Sequence, residues 1–252
     1  AEIANTLFGL GIVAILSRDL GVELFGLWVS VFSVFQIASI LNFGFPTIVV
    51  REGAKSVEEL SGILRLVRRA QAYLSILIIP LCVSIALLLY GKNMESLEII
   101  FVGFAFVSAV LQQINRAGLR VIGQAPREVT ITFLDRGSVF ILMALVSLMN
   151  LESLTYYIIA YNFGPFLGLI YSLRIINLSL PNEIESKFQL FEILRMSAPF
   201  GAGLIARPIR DGALKVILSV LGGFAAVAIF EIAWKAYIAG TSVSKAIRNR
   251  DQ

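Results

Sequence analysis

The sequence predicts an all-α fold, a polytopic membrane helix bundle of about eight transmembrane helices that form a first six-helix lobe and the start of a second. Three observations predict it. Of 252 residues, 58% are hydrophobic and 15% charged, whereas soluble domains carry about 25% charged residues. Apolar runs near the roughly 20 residues that cross a bilayer follow one another with short polar connections, so no stretch is left for a soluble domain. The basic residues alternate in density along the chain. Five follow the second span and three each follow the fourth, sixth and eighth, against one each after the first and third. Lys and Arg favour the cytoplasmic side, which places the even connections there and both ends with them.

The elements follow in order. Ile3–Ser17 is a short apolar run closed by Arg18 and Asp19; with no initiator Met before it, the chain is expected to be truncated at its start. Leu24–Val50 reads as one span followed by a bend at Gly44 and Pro46. In Arg51–Arg69 the apolar positions Leu60, Ile63, Leu64 and Val67 recur at helical spacing, which predicts an amphipathic helix on the membrane surface. Ala70–Tyr90 is the third span, with Pro80 midway, and Leu97–Ile114 the fourth, ending at Arg116 and Arg120. Pro126 fits the first turn of a fifth helix that runs to about Asn150 and carries Asp135 and Arg136. Leu154–Ile176 is the sixth, where Gly164 and Gly168 permit close helix contact. Ala198–Gly222 and Phe224–Gly240 are the seventh and eighth. Domain boundaries follow: a lobe over 1–178, a cytoplasmic connection over 179–195, the first two helices of a second lobe over 196–242 and a tail over 243–252. Trp28 and the Tyr156-Tyr157 pair are expected to anchor span ends at the interface.

Chemistry concentrates in the seventh span, which carries Arg207, Arg210, Asp211 and Lys215. A charge at the bilayer centre costs about 2.5–3.5 kcal/mol on insertion scales, so such residues face protein or water. At 100° per residue the four lie within about 140° of one another, and that face should not meet lipid. Internal neutralisation is open to Asp211 through Arg207 or Lys215, and to Glu231 through Lys235, since all three are i,i+4 pairs. The cations outnumber the carboxylates, which predicts an anion-binding surface at membrane depth. Asp135, Asp211 and Glu231 are candidate ion-coupling carboxylates. Arg136 is a candidate cavity residue. Histidine is absent and Cys82 is the sole cysteine, which excludes His-based triads, His or thiolate metal sites and an intrachain disulfide. No cofactor is expected. The pI near 9.3 does not point to nucleic acid, because the basic residues cluster at span ends.

AILSRDLGVELFGLW, from Ala14, and VILSVLGGFAAVAIF, from Val216, echo each other: Leu20-Gly21 and Leu221-Gly222 each join two spans once a one-residue gap is allowed. With LSRDLGVELFGLW at Leu16–Trp28, GFPTIVVREGAK at Gly44–Lys55, LRMSAPFGAGL at Leu194–Leu204 and VILSVLGG…IFEIAWKAYIAG at Val216–Gly240, the chain resembles the lipid-linked oligosaccharide flippases. These polysaccharide exporters belong to the multidrug/oligosaccharidyl-lipid/polysaccharide exporter superfamily. The resemblance implies two six-helix lobes that rock about a central cavity in the inner membrane. It also implies that cavity cations hold the diphosphate of a polyprenyl-linked glycan, such as an O-antigen repeat unit, while the lipid tail stays in the bilayer. Arg207, Arg210, Lys215 and Lys235 occupy the cavity-facing spans of that scheme. The chain departs from it by ending after eight spans, which leads to the expectation of a fragment or an inactive copy. The other readings are a cation-coupled multidrug exporter, which would favour an acidic or aromatic cavity, and a membrane enzyme on lipid-linked sugars. The latter needs paired carboxylates, and Asp19, Glu23, Glu95, Glu98 and Glu152 are scattered singly over the outer connections. Transport without enzymatic chemistry is therefore expected.

Overall fold

The computed structural model describes residues 2–38, 44–151, 153–180, 188–204 and 206–248. These are helical throughout, with no strand among the described residues. The chain runs α1 (Glu2–Asp19), α2 (Gly21–Ala38), α3 (Phe45–Gly53), α4 (Leu60–Tyr90), α5 (Ser96–Val121), α6 (Pro126–Thr132), a π-helical turn (Phe133–Gly137), α7 (Ser138–Leu148), α8 (Leu154–Ser179), α9 (Leu190–Leu204) and α10 (Ala206–Arg248). Residues 39–43 of the expected bend, 181–187 of the expected connection and 249–252 of the tail lie outside the described residues.

Among the described residues, six helical stretches are long and apolar enough to cross a membrane, a multi-pass arrangement: Gly21–Ala38, Leu60–Tyr90, Ser96–Val121, Pro126–Leu148, Leu154–Ser179 and Pro208–Thr241. The expected count of about eight is not reached by that measure, for two reasons. The 18 residues of α1 include Glu2, Arg18 and Asp19, too many charges for a plain span. The expected seventh span, beyond residues 198–204 that end α9, and the expected eighth are arms of one element, α10, which bends at Gly223 (φ 78°, ψ 174°). Lys215 and Glu231, eight residues either side of Gly223, lie 2.6 Å apart. In a straight helix that separation would be about 24 Å, so the arms fold back on each other.

The same turn device opens the chain. Gly21, between α1 and α2, has φ 70°, a left-handed conformation that side chains with a Cβ resist. Leu16-Ser17 precedes Gly21 by the spacing at which Leu218-Ser219 precedes Gly223. The internal echo thus needs no gap once Gly223, and not Gly222, is taken as the turn. The first turn is tied to the bundle by Asp19, which pairs with Arg18 at 2.7 Å and accepts a hydrogen bond from the Tyr157 hydroxyl at 2.9 Å, while Arg18 donates to Ser147 Oγ at 2.6 Å.

Apolar side chains form two layers. One, nearer the glycine turns, includes Leu16, Phe25, Val31, Ile99, Tyr157 and Val227. The other includes Ile48, Leu60, Ile63, Leu64, Ile114 and Ile193. The second layer corrects the surface-helix reading of Arg51–Arg69. Its apolar positions are buried against α3, α5 and α9, and residues 60–69 are the first turns of a continuous 31-residue α4. Exposed aliphatic side chains belong instead to the later turns of α4, where Ile76, Leu77 and Leu88 form a lipid-compatible surface. Trp28 is likewise not an interfacial anchor: it is buried, stacked on Phe32 with centroids 4.8 Å apart and edge-on to Tyr161 at 5.5 Å.

Short α3 is held at the bundle's edge by Glu52, a buried carboxylate bonded to Lys55 Nζ and Arg51 Nε, each at 2.7 Å. Lys55, opposed by burial and aided by Arg51, holds the Glu52 carboxyl below its ordinary value of 4.5. The resulting stability is complete above that ordinary value and is lost as pH falls through the lower folded one. Amide hydrogen exchange over residues 45–55 should therefore be constant from pH 7 to 5, after correction for intrinsic rates, and accelerate below pH 4. In Glu52→Gln it should already be fast at pH 7, with no acid transition.

Candidate functional site

Two polar groups interrupt the apolar interior. The first lies between the arms of α10. Lys215 and Glu231 keep only 7% and 9% of their side-chain surface exposed, and Lys235 approaches the second carboxylate oxygen of Glu231 at 3.6 Å. One carboxylate thus serves two ammonium groups. Nearer the start of the helix, Arg210 pairs with Asp211 at 2.8 Å, yet 65% of its side chain remains exposed. Its guanidinium lies over the Trp234 ring, 5.9 Å from the centroid. The Arg207 side chain lies outside the described residues; its backbone belongs to the first turn of α10, beside Pro208. The expected site residues of α10 therefore fall into distinct environments. Lys215 and Glu231 are internal, Lys235 is at the edge, and Arg210 is presented outward.

The second group lies between the two apolar layers. Asp135, with 4% of its surface exposed, is carried by the π-helical turn. Such turns add a residue to the helical circuit and are frequent at functional positions. Arg116 Nη2 stands 3.5 Å from Asp135 Oδ2 and Arg136 Nε 3.9 Å from it, while Arg136 Nη1 donates to the Tyr161 hydroxyl at 3.2 Å. Asp135 and Arg136 thus take their charged and hydroxyl partners from α5, α8 and each other. Asp135 Oδ1, Gln112 Nε2 and Arg116 Nε are buried without a hydrogen-bond partner. Below them Arg68 Nε donates to Asn115 Oδ1 at 2.8 Å, and Asn115 Nδ2 to Ser172 Oγ at 2.9 Å.

Sequence reasoning missed this second layer's extent. Arg116 was expected to close a span, but α5 continues to Val121 and keeps Arg116 inside the bundle. Arg68 was expected on a surface helix. The available signal was the polar run Gln112-Gln113-x-Asn115-Arg116 at the end of an apolar stretch. Close approach at Gly164 and Gly168 makes the layer possible, as their spacing predicted: a Cβ would overlap the Asp135 carbonyl at Gly164 and Gln112 Nε2 at Gly168.

No group of three or more metal-ligating side chains occurs among the described residues. The chemistry on offer is electrostatic: Lys215 and Lys235 share the Glu231 carboxylate, and Arg210, paired with Asp211, faces outward. No curated protein and no solved structure matches the chain. A family model described as polysaccharide biosynthesis protein matches residues 1–247. That match covers the bundle, the α9 connection and both arms of α10, so the chain belongs to the polysaccharide biosynthesis protein family.

Proposed function

We propose that the protein is a transporter that moves a polyprenyl-diphosphate-linked oligosaccharide, an O-antigen or other polysaccharide repeat unit, from the cytoplasmic to the outer leaflet of the inner membrane. The movement is alternating access without covalent chemistry. Family membership supports the glycan, and the depth of Arg210 carries the mechanism. Arg210 lies 13 residues before the Gly223 turn, about 20 Å along a helix. In a hydrocarbon core about 30 Å thick, with the turn at one surface, that leaves about 10 Å to the other. Asp211 supplies one anion at 2.8 Å, and the guanidinium surface still exposed at such depth calls for water or a further anion. Arg207 and Arg210 would take the diphosphate through charge-assisted hydrogen bonds, with Lys215, Lys235 and Glu231 fixing the local charge and Arg136 lining the path. Residues 1–178 form the first lobe in this reading, and 196–242 open the second. The repeated glycine-turn hairpins support that division. Even connections and both ends face the cytoplasm, and Asp135, Asp211 and Glu231 are the carboxylates through which an ion gradient would act.

Native mass spectrometry of the chain with a polyprenyl-diphosphate sugar, against a lipophilic cation as competitor, tests the reading. Binding of the diphosphate lipid should weaken about tenfold or more in Arg207→Ala/Arg210→Ala, the loss of charged hydrogen bonds. Equal binding to both proteins, or preference for the cation, would remove the phosphate site.

A further inference from the structure

Beside Arg210, the second arm of α10 carries three aromatic rings in a row. Phe230 and Trp234 lie 6.1 Å apart with planes inclined by 10°, and Trp234 and Tyr237 lie 5.7 Å apart at 28°. The three rings follow one another at i, i+4 and i, i+7 as an aromatic strip along the helix, with the Arg210 guanidinium over the central ring. Tyr237 is 62% exposed. Among the described residues, neither its hydroxyl nor the Trp234 indole N–H has a hydrogen-bond partner.

The usual reason for Trp and Tyr in a membrane helix is anchorage at the interface. Depth rules that out for Trp234. Trp234 lies 11 residues beyond the Gly223 turn, about 16 Å at 1.5 Å per residue, which is the middle of the hydrocarbon core. Facing lipid at that level, the indole N–H would stay unsatisfied, at a cost of several kcal/mol by alkane transfer; Tyr237 lies nearer the end of the span at Gly240. The strip instead offers what a pyranose needs. An aromatic face meets the C–H face of the ring, and two polar edges meet its hydroxyls. Arg210 alongside supplies the cation for a phosphate attached to that sugar.

We propose that Trp234 and Tyr237 form a sugar subsite contiguous with Arg210. Arg210 holds the phosphate, and the first sugar of the lipid-linked glycan stacks on the aromatic strip. This deepens the transporter reading and rests on it. The subsite recognises a pyranosyl phosphate as a unit, so the first sugar contributes to selection and the lipid tail does not.

The test compares two probes on the full chain by native mass spectrometry: polyprenyl diphosphate, and the same lipid bearing one hexosamine. The wild type should prefer the sugar-bearing lipid by about fivefold or more, and Trp234→Leu/Tyr237→Leu should bring the ratio to near one while binding of the bare diphosphate stays within about twofold. Arg210→Gln should weaken both probes and keep the ratio. Trp234→Phe, which retains a ring, should keep part of the preference. An unchanged ratio in the double variant, or no sugar preference in the wild type, would overturn the subsite while leaving the transporter reading intact. Loss of both probes together with a lower melting temperature would assign the strip to packing and overturn it equally. Failure of both probes to bind the wild type would remove both readings.

Discussion

Glu231→Leu is expected to destabilise the protein by about 3 kcal/mol or more, the cost of stranding a buried charge. Lys215 lies 2.6 Å from Glu231 and is almost fully enclosed. Without the carboxylate, its ammonium would sit between the arms of α10 with Lys235 as a like-charged neighbour. Lys215→Met should cost a similar amount for the converse reason, because Glu231 would keep only the more distant Lys235 at 3.6 Å. Lys215→Met/Glu231→Leu removes both desolvated charges at once and should recover most of the loss, since apolar replacements of similar volume are commonly neutral or stabilising. SDS-induced unfolding in mixed micelles measures all three. Additive losses in the double variant would show that the two groups do not depend on each other. The recovery pattern is specific to a fold-back at Gly223, because no other path brings these residues together.

That pair marks the boundary of what the sequence could disclose. Within one helix, spacing is enough: Glu231 with Lys235 was legible as i,i+4, as were the shared face of Leu60, Ile63, Leu64 and Val67 and the close contact at Gly164 and Gly168. Lys215 with Glu231 spans 16 residues and depends on a single left-handed glycine. Two adjacent glycines left the turn's register open by one residue. The polar layer around Asp135 draws on four separate stretches of chain, and its partners Arg68 and Arg116 looked like ordinary basic residues at span ends. A local charge pattern cannot distinguish an arginine at a helix end from one a few turns inside it when the helix continues past the apolar run. The start of α4 failed for a related reason. An amphipathic stripe fits a bilayer surface and a protein groove equally well, and here Ile193 of α9 and the α4 stripe cover each other. The outward-facing Arg210 was legible as a charge in an apolar span, whereas its aromatic neighbours at Trp234 and Tyr237 needed the hairpin.

Gly26→Ala is expected to destabilise the protein by about 1–3 kcal/mol, the usual cost of overpacking, even though alanine is the better helix former. Gly26 of α2 faces the backbone of α10, and a Cβ there would overlap the Phe224 carbonyl oxygen. Backbone atoms cannot rotate aside as a side chain can, so α10 would have to move away from α2. Small residues permit such approaches between membrane helices, where dispersion contacts and hydrogen bonds replace the hydrophobic drive. The contact recurs at the other end of the pair: a Cβ at Gly212 would crowd Ile37 and stand 3.0 Å from the Ser33 carbonyl oxygen. Glycines thus set the separation of α2 and α10 at both ends, with Val31 and Val34 buried between. Gly9→Ala is the control, since Gly9 lies inside α1 with nothing within 4 Å of the added methyl. It should stabilise by up to about 1 kcal/mol through helix propensity alone. Opposite signs for two identical substitutions, in one unfolding assay, would locate the constraint in the α2–α10 contact. Equal signs would mean that the two helices separate freely enough to admit a methyl group, and that the contact at Phe224 does not hold the hairpin in place.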